Sequence, residues 1–158
     1  MNDEKRLTDY FIFYVAMLLF FGVGAITTLG LDWYTALAVP AWAPPQLSVA
    51  VIWSVLFIVA PLSLSVFWKS APKDTAFRPT VMLYAGNAVG ILLWNYLFFG
   101  LHNLVGATMI AFCIFLSVVV LMIRVGKVSR TSAQLLVPYL IWIVFAVYLN
   151  YTLMNMNP

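Results

Sequence analysis

Apolar residues run through this chain in five long blocks, separated by short stretches where the polar residues collect. The blocks Tyr10–Leu31, Gln46–Trp68, Pro79–Leu101, Asn103–Ile123 and Ala133–Met154 contain no Lys, Arg, Asp or Glu. Each reaches the roughly 20 residues that a helix needs to cross the hydrocarbon core of a bilayer. The pattern predicts an all-α membrane protein, a bundle of five transmembrane helices over about 10–31, 46–68, 79–101, 103–123 and 133–154. These spans take up most of the 158 residues, so a single five-helix domain over 1–158 is expected, with no separate soluble domain. The first block reads as a span and not as a cleavable leader, because MNDEKRLTD ahead of it carries mixed charge and no A-x-A-like site follows it.

The connector 32–45 is unlike an ordinary turn. From Trp33 to Pro45 it reads WYTALAVPAWAPP, apolar except for Tyr34 and Thr35, where a loop that only reversed the chain would be rich in Gly, Asn and Asp. Pro40, Pro44 and Pro45 deny it a continuous helix. Such a segment has to be covered, so it is expected to form a stiff lid over the mouth of the bundle, with Trp33, Tyr34 and Trp42 at interfacial depth. An aromatic belt anchoring two helix ends is the plainer reading of the same residues.

Composition strengthens the membrane assignment. The chain is 65% hydrophobic and 8% charged, with a mean hydropathy of +1.01, which a water-soluble domain could carry only by exposing large apolar patches. All eight Lys and Arg residues, Lys5, Arg6, Lys69, Lys73, Arg78, Arg124, Lys127 and Arg130, fall on one side of a five-span topology. The positive-inside rule then puts the N-terminus in the cytoplasm, and the C-terminus, the lid and the loop near Gly100–Asn103 outside. The net charge of +3 reflects topology and contact with membrane lipid, not nucleic-acid binding. Cys113 and His102 are each the sole residue of their type. No disulfide and no metal site is therefore expected, and His102, at a helix end, reads as a capping or interfacial residue rather than a haem ligand.

Several positions inside the spans carry candidate chemistry. Gly22, Gly24, Ala25, Thr27 and Thr28 make a small-residue segment at the end of the first span, which either admits a neighbouring backbone or leaves room for a ligand. Trp53 and Phe57 stand one helical turn apart on one face. Pro61 should bend the second helix, with Ser63 and Ser65 helping to satisfy the carbonyl it frees. Gly86 and Gly90 form a G-x-x-x-G pair suited to close helix contact, within the bundle or across a homodimer. Asn87 lies between them, and an amide at that depth must pair with protein or with a polar ligand atom. In the fifth span Tyr139, Trp142, Ala146, Leu149 and Asn150 share a face that reads either as core or as one wall of a cleft for a flat apolar ligand, with Ala146 making the gap.

Long motifs in a fixed order resemble those of the tryptophan-rich sensory proteins and translocator proteins, the TspO/MBR family, also called peripheral-type benzodiazepine receptors. The first-loop pattern WY-x2-L-x-KP-x-W-x-PP is matched by Trp33, Tyr34, Leu37, Pro40, Trp42, Pro44 and Pro45, and W-x3-FF-G by Trp94, Phe98, Phe99 and Gly100. The fifth-helix pattern PYL-x-W-x2-FA-x2-LN is matched by Pro138, Tyr139, Leu140, Trp142, Phe145, Ala146, Leu149 and Asn150. Val39, Ile91 and Ile110 depart from it, each standing where the family often has a polar residue, so fewer polar ligand contacts are expected. After Tyr151 the chain reads TLMNMNP, which lacks the basic residue of the proposed cholesterol motif.

The resemblance implies a bundle, often dimeric, that binds porphyrins and other flat hydrophobic molecules in an outer-side pocket under the first loop. The ligand-binding residues it implies here are Tyr34, Trp42, Pro44, Val49, Trp53, Phe57, Asn87, Ile91, Trp94, Trp142 and Ala146. Such a pocket offers ring faces and a few donors to a planar tetrapyrrole. No cofactor is required. No nucleophile, base and orienting group come together in the sequence, so the only chemistry expected is light-dependent porphyrin breakdown, with Trp53 and Trp142 as the oxidisable indoles. A carrier of porphyrins or lipids, and a structural partner of another membrane complex, are the competing readings. The former lacks an inverted repeat or an intramembrane charge relay. The expected location is a bacterial cell membrane.

Overall fold

The computed structural model describes residues 2–158, with side chains from Asp9 onward; the topology argument from Lys5 and Arg6 lies outside the described side chains. The helices are α1 (Asn2–Leu29), α2 (Leu31–Thr35), α3 (Gln46–Ser70), α4 (Phe77–Asn95), α5 (Leu104–Gly126), α6 (Arg130–Leu135) and α7 (Val137–Met156), and a π-helical turn, Tyr96–Gly100, continues α4. Five runs are long and apolar enough to cross a membrane: Asp9–Leu29, Gln46–Ser70, Phe77–Gly100, Leu104–Gly126 and Arg130–Met156. The chain is thus an integral, multi-pass membrane protein folded as a five-helix bundle.

The boundaries move where local chemistry dictates. α1 stops at Leu29, and the next residue is Gly30, which lies so close to the Phe99 carbonyl that any Cβ there would collide with it. The chain then turns into the short α2, so the first part of the expected loop is helical. The fifth span is broken at Leu136. Pro138 has no N–H to offer the carbonyl four residues back, and the helix restarts with Leu140 N–H donating to Leu136 O at 2.9 Å. Side chains cap the starts of α5 and α6, Asn103 accepting from Gly106 N at 2.8 Å and Ser129 from Ser132 N at 3.3 Å.

Pro61 lies inside an unbroken α3, but the two serines expected to help it are engaged elsewhere. Ser63 Oγ donates to Ser132 O (2.7 Å) and lies 2.7 Å from Tyr84 Oη, while Ser132 Oγ donates to Ser63 O (2.8 Å). Ser65 Oγ donates to Asp9, whose other oxygen accepts from Lys69 at 2.7 Å. Both serines therefore tie α3 to other helices at the end of the bundle that holds the basic residues, here the basic end; the opposite one is the lid end.

Around the bundle the spans follow the order α1, α3, α7, α5, α4 and back to α1. The densest packing is between α5 and its neighbours, where Ala107, Val118, Leu121, Val125 and Ile143 are essentially inaccessible. Gly90 permits this, since a Cβ there would come within 3.1 Å of Ile114. Gly86 meets nothing within 4 Å and faces outward with Met82, Val89 and Leu93. The two glycines thus do different things.

Candidate functional site

Between the tightly packed α4–α5–α7 side and the α1–α3 side, the lid end encloses a cavity of about 520 Å³, within the usual size of small-molecule sites. One-turn spacing on α3 puts Val49, Trp53 and Phe57 on its wall. α4 contributes Ile91, Trp94 and Asn95, and the π turn Phe98 and Phe99. That turn is closed by Leu101 N–H donating to Tyr96 O at 2.9 Å, five residues back. Wide turns of this kind recur at functional sites. α1 contributes Phe20, Gly24 and Thr27, α7 contributes Asn150 and Leu153, and Leu31 and Tyr34 form the roof. Phe20, Gly24, Leu31, Leu47 and Ala50 on the rim are exposed, so the cavity opens between α1 and the start of α3.

Among the described residues, no charged side chain lines it. Its polar groups are few and mostly engaged. Trp94 Nε1 donates to Asn150 Oδ1 (3.1 Å), and Asn150 Nδ2 to Ala146 O (2.7 Å). Ser54 Oγ donates to Ala50 O, and Thr27 Oγ1 to Val23 O (both 2.8 Å). Burial pushes the Tyr34 phenol above its ordinary pKa, so at neutral pH it meets a ligand as an uncharged hydroxyl.

The lid touches the rest of the protein at three points along its length. Trp33 stacks on His102 at 4.3 Å and meets the edge of Phe98 at 5.5 Å; His102 is held at φ 55 in that loop. Asn157, near the C-terminus, clamps the middle of the lid: its Oδ1 accepts from Ala38 N (2.9 Å) and its Nδ2 donates to Ala38 O (3.0 Å). Trp42 stacks on Tyr148 at 5.1 Å, with Phe145 at 5.8 Å.

Of the residues implied by resemblance, Tyr34, Val49, Trp53, Phe57, Ile91 and Trp94 converge on this cavity. Trp42, Pro44, Asn87, Trp142 and Ala146 are not part of its lining. Trp42 anchors the lid on α7. Asn87 joins the α4–α5–α7 contact, donating to Ser117 (2.6 Å) and accepting from Tyr139 (2.7 Å), and borders a different cavity nearer the basic end. Trp142 meets the edge of Trp53 at 6.4 Å and supports it from behind; its buried Nε1 has no hydrogen-bond partner. Ala146 is buried, with its carbonyl held by Asn150. The small-residue segment serves both of its readings. Gly22 packs on Leu92 at 3.6 Å, whereas Gly24 meets nothing within 4 Å and opens onto the cavity.

Sequence reasoning missed Phe20, Asn95 and the joint role of Phe98 and Phe99. The last two were visible as a motif, but their convergence depends on the π turn, which has no periodicity signal. A second cavity of about 500 Å³ lies toward the basic end between α1, α3 and α4, sharing Trp53, Phe57 and Ile91 with the first.

Comparison with known proteins agrees with this architecture. The family model described as "TspO/MBR family" matches residues 11–156. The tryptophan-rich protein TspO of Bacillus cereus is 31% identical over 154 residues, covering 96% of this chain and 98% of its own. Protein CrtK of Rhodobacter capsulatus is 31% identical, covering 96% and 94%, and the translocator protein of Sus scrofa is 32% identical, covering 81% and 76%. With five spans, an aromatic lid and a family match over nearly its whole length, the chain belongs to the TspO/MBR family.

Proposed function

We propose that this protein is a membrane receptor for porphyrins and other flat hydrophobic molecules, which it holds in the lid-end cavity beneath Tyr34. The observation that supports this reading is the character of that cavity: uncharged, walled by Trp53, Phe57, Trp94 and Phe98, and roofed by the lid. Ring faces offset against a planar macrocycle supply dispersion and quadrupole contacts over a large area. The cavity opens between α1 and the start of α3, and its uncharged lining keeps the ligand's ionised groups at that mouth.

Light-dependent breakdown of a bound porphyrin is the second proposed activity. Trp53 lines the ligand space and Trp142 lies against Trp53 at 6.4 Å, so both oxidisable indoles stand at or next to a bound ring. Protoporphyrin titrated into purified protein should quench tryptophan emission saturably, and illumination should bleach the porphyrin band. Trp53→Phe and Trp142→Phe should bind within about tenfold of the parent, a 1.4 kcal/mol allowance, yet lose most of the bleaching. Trp142→Phe in particular removes a donor that is buried without a partner, so its fold should be undisturbed. Bleaching at the parent rate in both variants would reduce the indoles to packing residues; absence of saturable quenching would overturn the receptor itself.

The proposed orientation has the basic end in the cytoplasm of a bacterial cell, with the cavity and C-terminus outside. A C-terminal reporter fusion active only in the cytoplasm would reject it. Homodimerisation is proposed through the outward face of α4 around Gly86, because Gly90 is already occupied by α5.

A further inference from the structure

One residue lining the lid-end cavity carries a buried polar atom that no hydrogen bond holds. Asn95 is 1% exposed, and its Nδ2 donates to Thr27 Oγ1 at 3.0 Å. The orientation of the amide is fixed by that neighbour: the Thr27 hydroxyl hydrogen is already given to Val23 O at 2.8 Å, so Thr27 can only accept, and Nδ2 must face it. Asn95 Oδ1 is left buried with no hydrogen-bond partner, in a residue that lines the cavity. An amide oxygen stripped of water and left unpaired is costly, and native proteins seldom leave one without a purpose.

We propose that Asn95 Oδ1 is the specificity-determining acceptor of the cavity, taking a hydrogen bond from a neutral N–H or O–H on the buried edge of the ligand. This rests on the reading of the cavity as the ligand site, and it narrows the preferred ligands to flat molecules with a neutral donor on one edge; protoporphyrin, whose edge opposite the carboxylates carries only methyl and vinyl groups, fills the cavity without using Oδ1. The other amide at that depth, Asn150, has its oxygen on Trp94 and its nitrogen on Ala146. With no cation in the lining among the described residues, an ionised carboxylate pointing inward would meet oxygen and aromatic faces. The inward edge of a preferred ligand is therefore an uncharged donor, and any carboxylates point toward the mouth.

Carbazole and fluorene make a matched pair for the test, being flat tricycles of nearly the same shape that differ by N–H against CH₂. Their affinities for full-length protein in detergent are measured by equilibrium dialysis, for the parent, for Asn95→Leu and for Asn95→Met. The ratio of carbazole to fluorene affinity should fall about tenfold in the variants, while fluorene affinity changes little. Taking the ratio removes the difference in partition between the two compounds. The variants lose only the bond to Thr27, whose own hydroxyl stays donated to Val23. Should neither variant fold, the N–H stretch of carbazole bound to the parent decides the matter: a red shift supports the acceptor and an unshifted band overturns it. An unchanged ratio also overturns the role of Asn95, while the cavity stands if Gly24→Leu, which projects a side chain into the open space, still weakens both compounds. If Gly24→Leu leaves both affinities unchanged, or neither compound binds, the cavity is not the site and the proposal falls with it.

Discussion

The α4–α5–α7 side and the α1–α3 side are both built from spans apolar enough to cross a membrane, yet they pack differently. In the most apolar windows of α5 and of the α6–α7 span, 33% of residues are buried in the protein, against 17% in α3 and 11% in α1. The packed side owes its closeness to small residues and to polar links. Gly90, Ala107 and Ala111 let α4 and α5 approach, and Asn87 joins Ser117 to Tyr139 across three helices. On the other side the links lie at the ends: Asp9 with Ser65 and Lys69 at one, and Asn95 with Thr27 at the other. Between lipid and protein there is no hydrophobic driving force to close a gap, since acyl chains are as apolar as leucine. Helices that lack close-fitting surfaces stay apart, and both large cavities lie along α1 and α3. The lesson is that the ligand space is what the weaker half of the bundle leaves open.

The comparison can be broken most directly by truncating an apolar residue on each side. Ile143→Ala, at a site 1% exposed, should destabilise the protein by about 2–5 kcal/mol through lost contacts and a residual void. Val23→Ala beside the lid-end cavity, where space already exists, should cost well under half as much. Unfolding in mixed micelles with increasing dodecyl sulfate measures both, and equal losses would refute the division into tight and loose halves.

A smaller effect of opposite kind is expected from filling space. Gly24→Leu should leave unfolding unchanged or slightly improved, because a helical glycine is replaced by a good helix former where no neighbour lies within 4 Å. Protoporphyrin affinity should nevertheless fall at least about tenfold, or 1.4 kcal/mol, as judged by tryptophan quenching. The same change at Gly90, against Ile114 at 3.1 Å, should instead destabilise the fold by about 1–3 kcal/mol, which separates a glycine kept for space from one kept for contact.

The smallest expected effects concern the lid. Asn157→Ala removes both bonds to Ala38, and replacing Pro44 and Pro45 by glycine restores loop entropy. Each should weaken ligand binding by about 1 kcal/mol while leaving bundle stability intact. Hydrogen exchange at Ala38 should rise in Asn157→Ala. Exchange as fast in the parent would show that the clamp does not hold the lid.

How much of this was legible beforehand depended on whether a feature is repeated along the chain or made by convergence. Five charge-free blocks are a local property, so the spans and the helical class could be read directly, and the proline-rich composition of Trp33–Pro45 pointed to a covered lid. Trp53 and Phe57 were found because one-turn spacing fixes a shared face whatever the neighbours are. Asn87 shows the limit: its depth required a partner, but only the approach of α5 and α7 decided that Ser117 and Tyr139 supply it. Trp142 and Ala146 shared a stripe with Asn150, yet the rotation of α7 brought Asn150 to the cavity and kept the other two behind it. Asn95 stood next to Trp94 with no distinguishing pattern, and its free oxygen exists because Thr27, 68 residues away, takes only the nitrogen. The amino-acid sequence by itself determined the number of spans, their apolar character and the proline-rich make-up of the lid, since each follows from composition and periodicity within a segment. Tertiary structure alone decided which aromatic faces meet, where the gap falls and which polar atom is left unpaired, because those depend on helix rotation and on contacts between segments far apart in the chain.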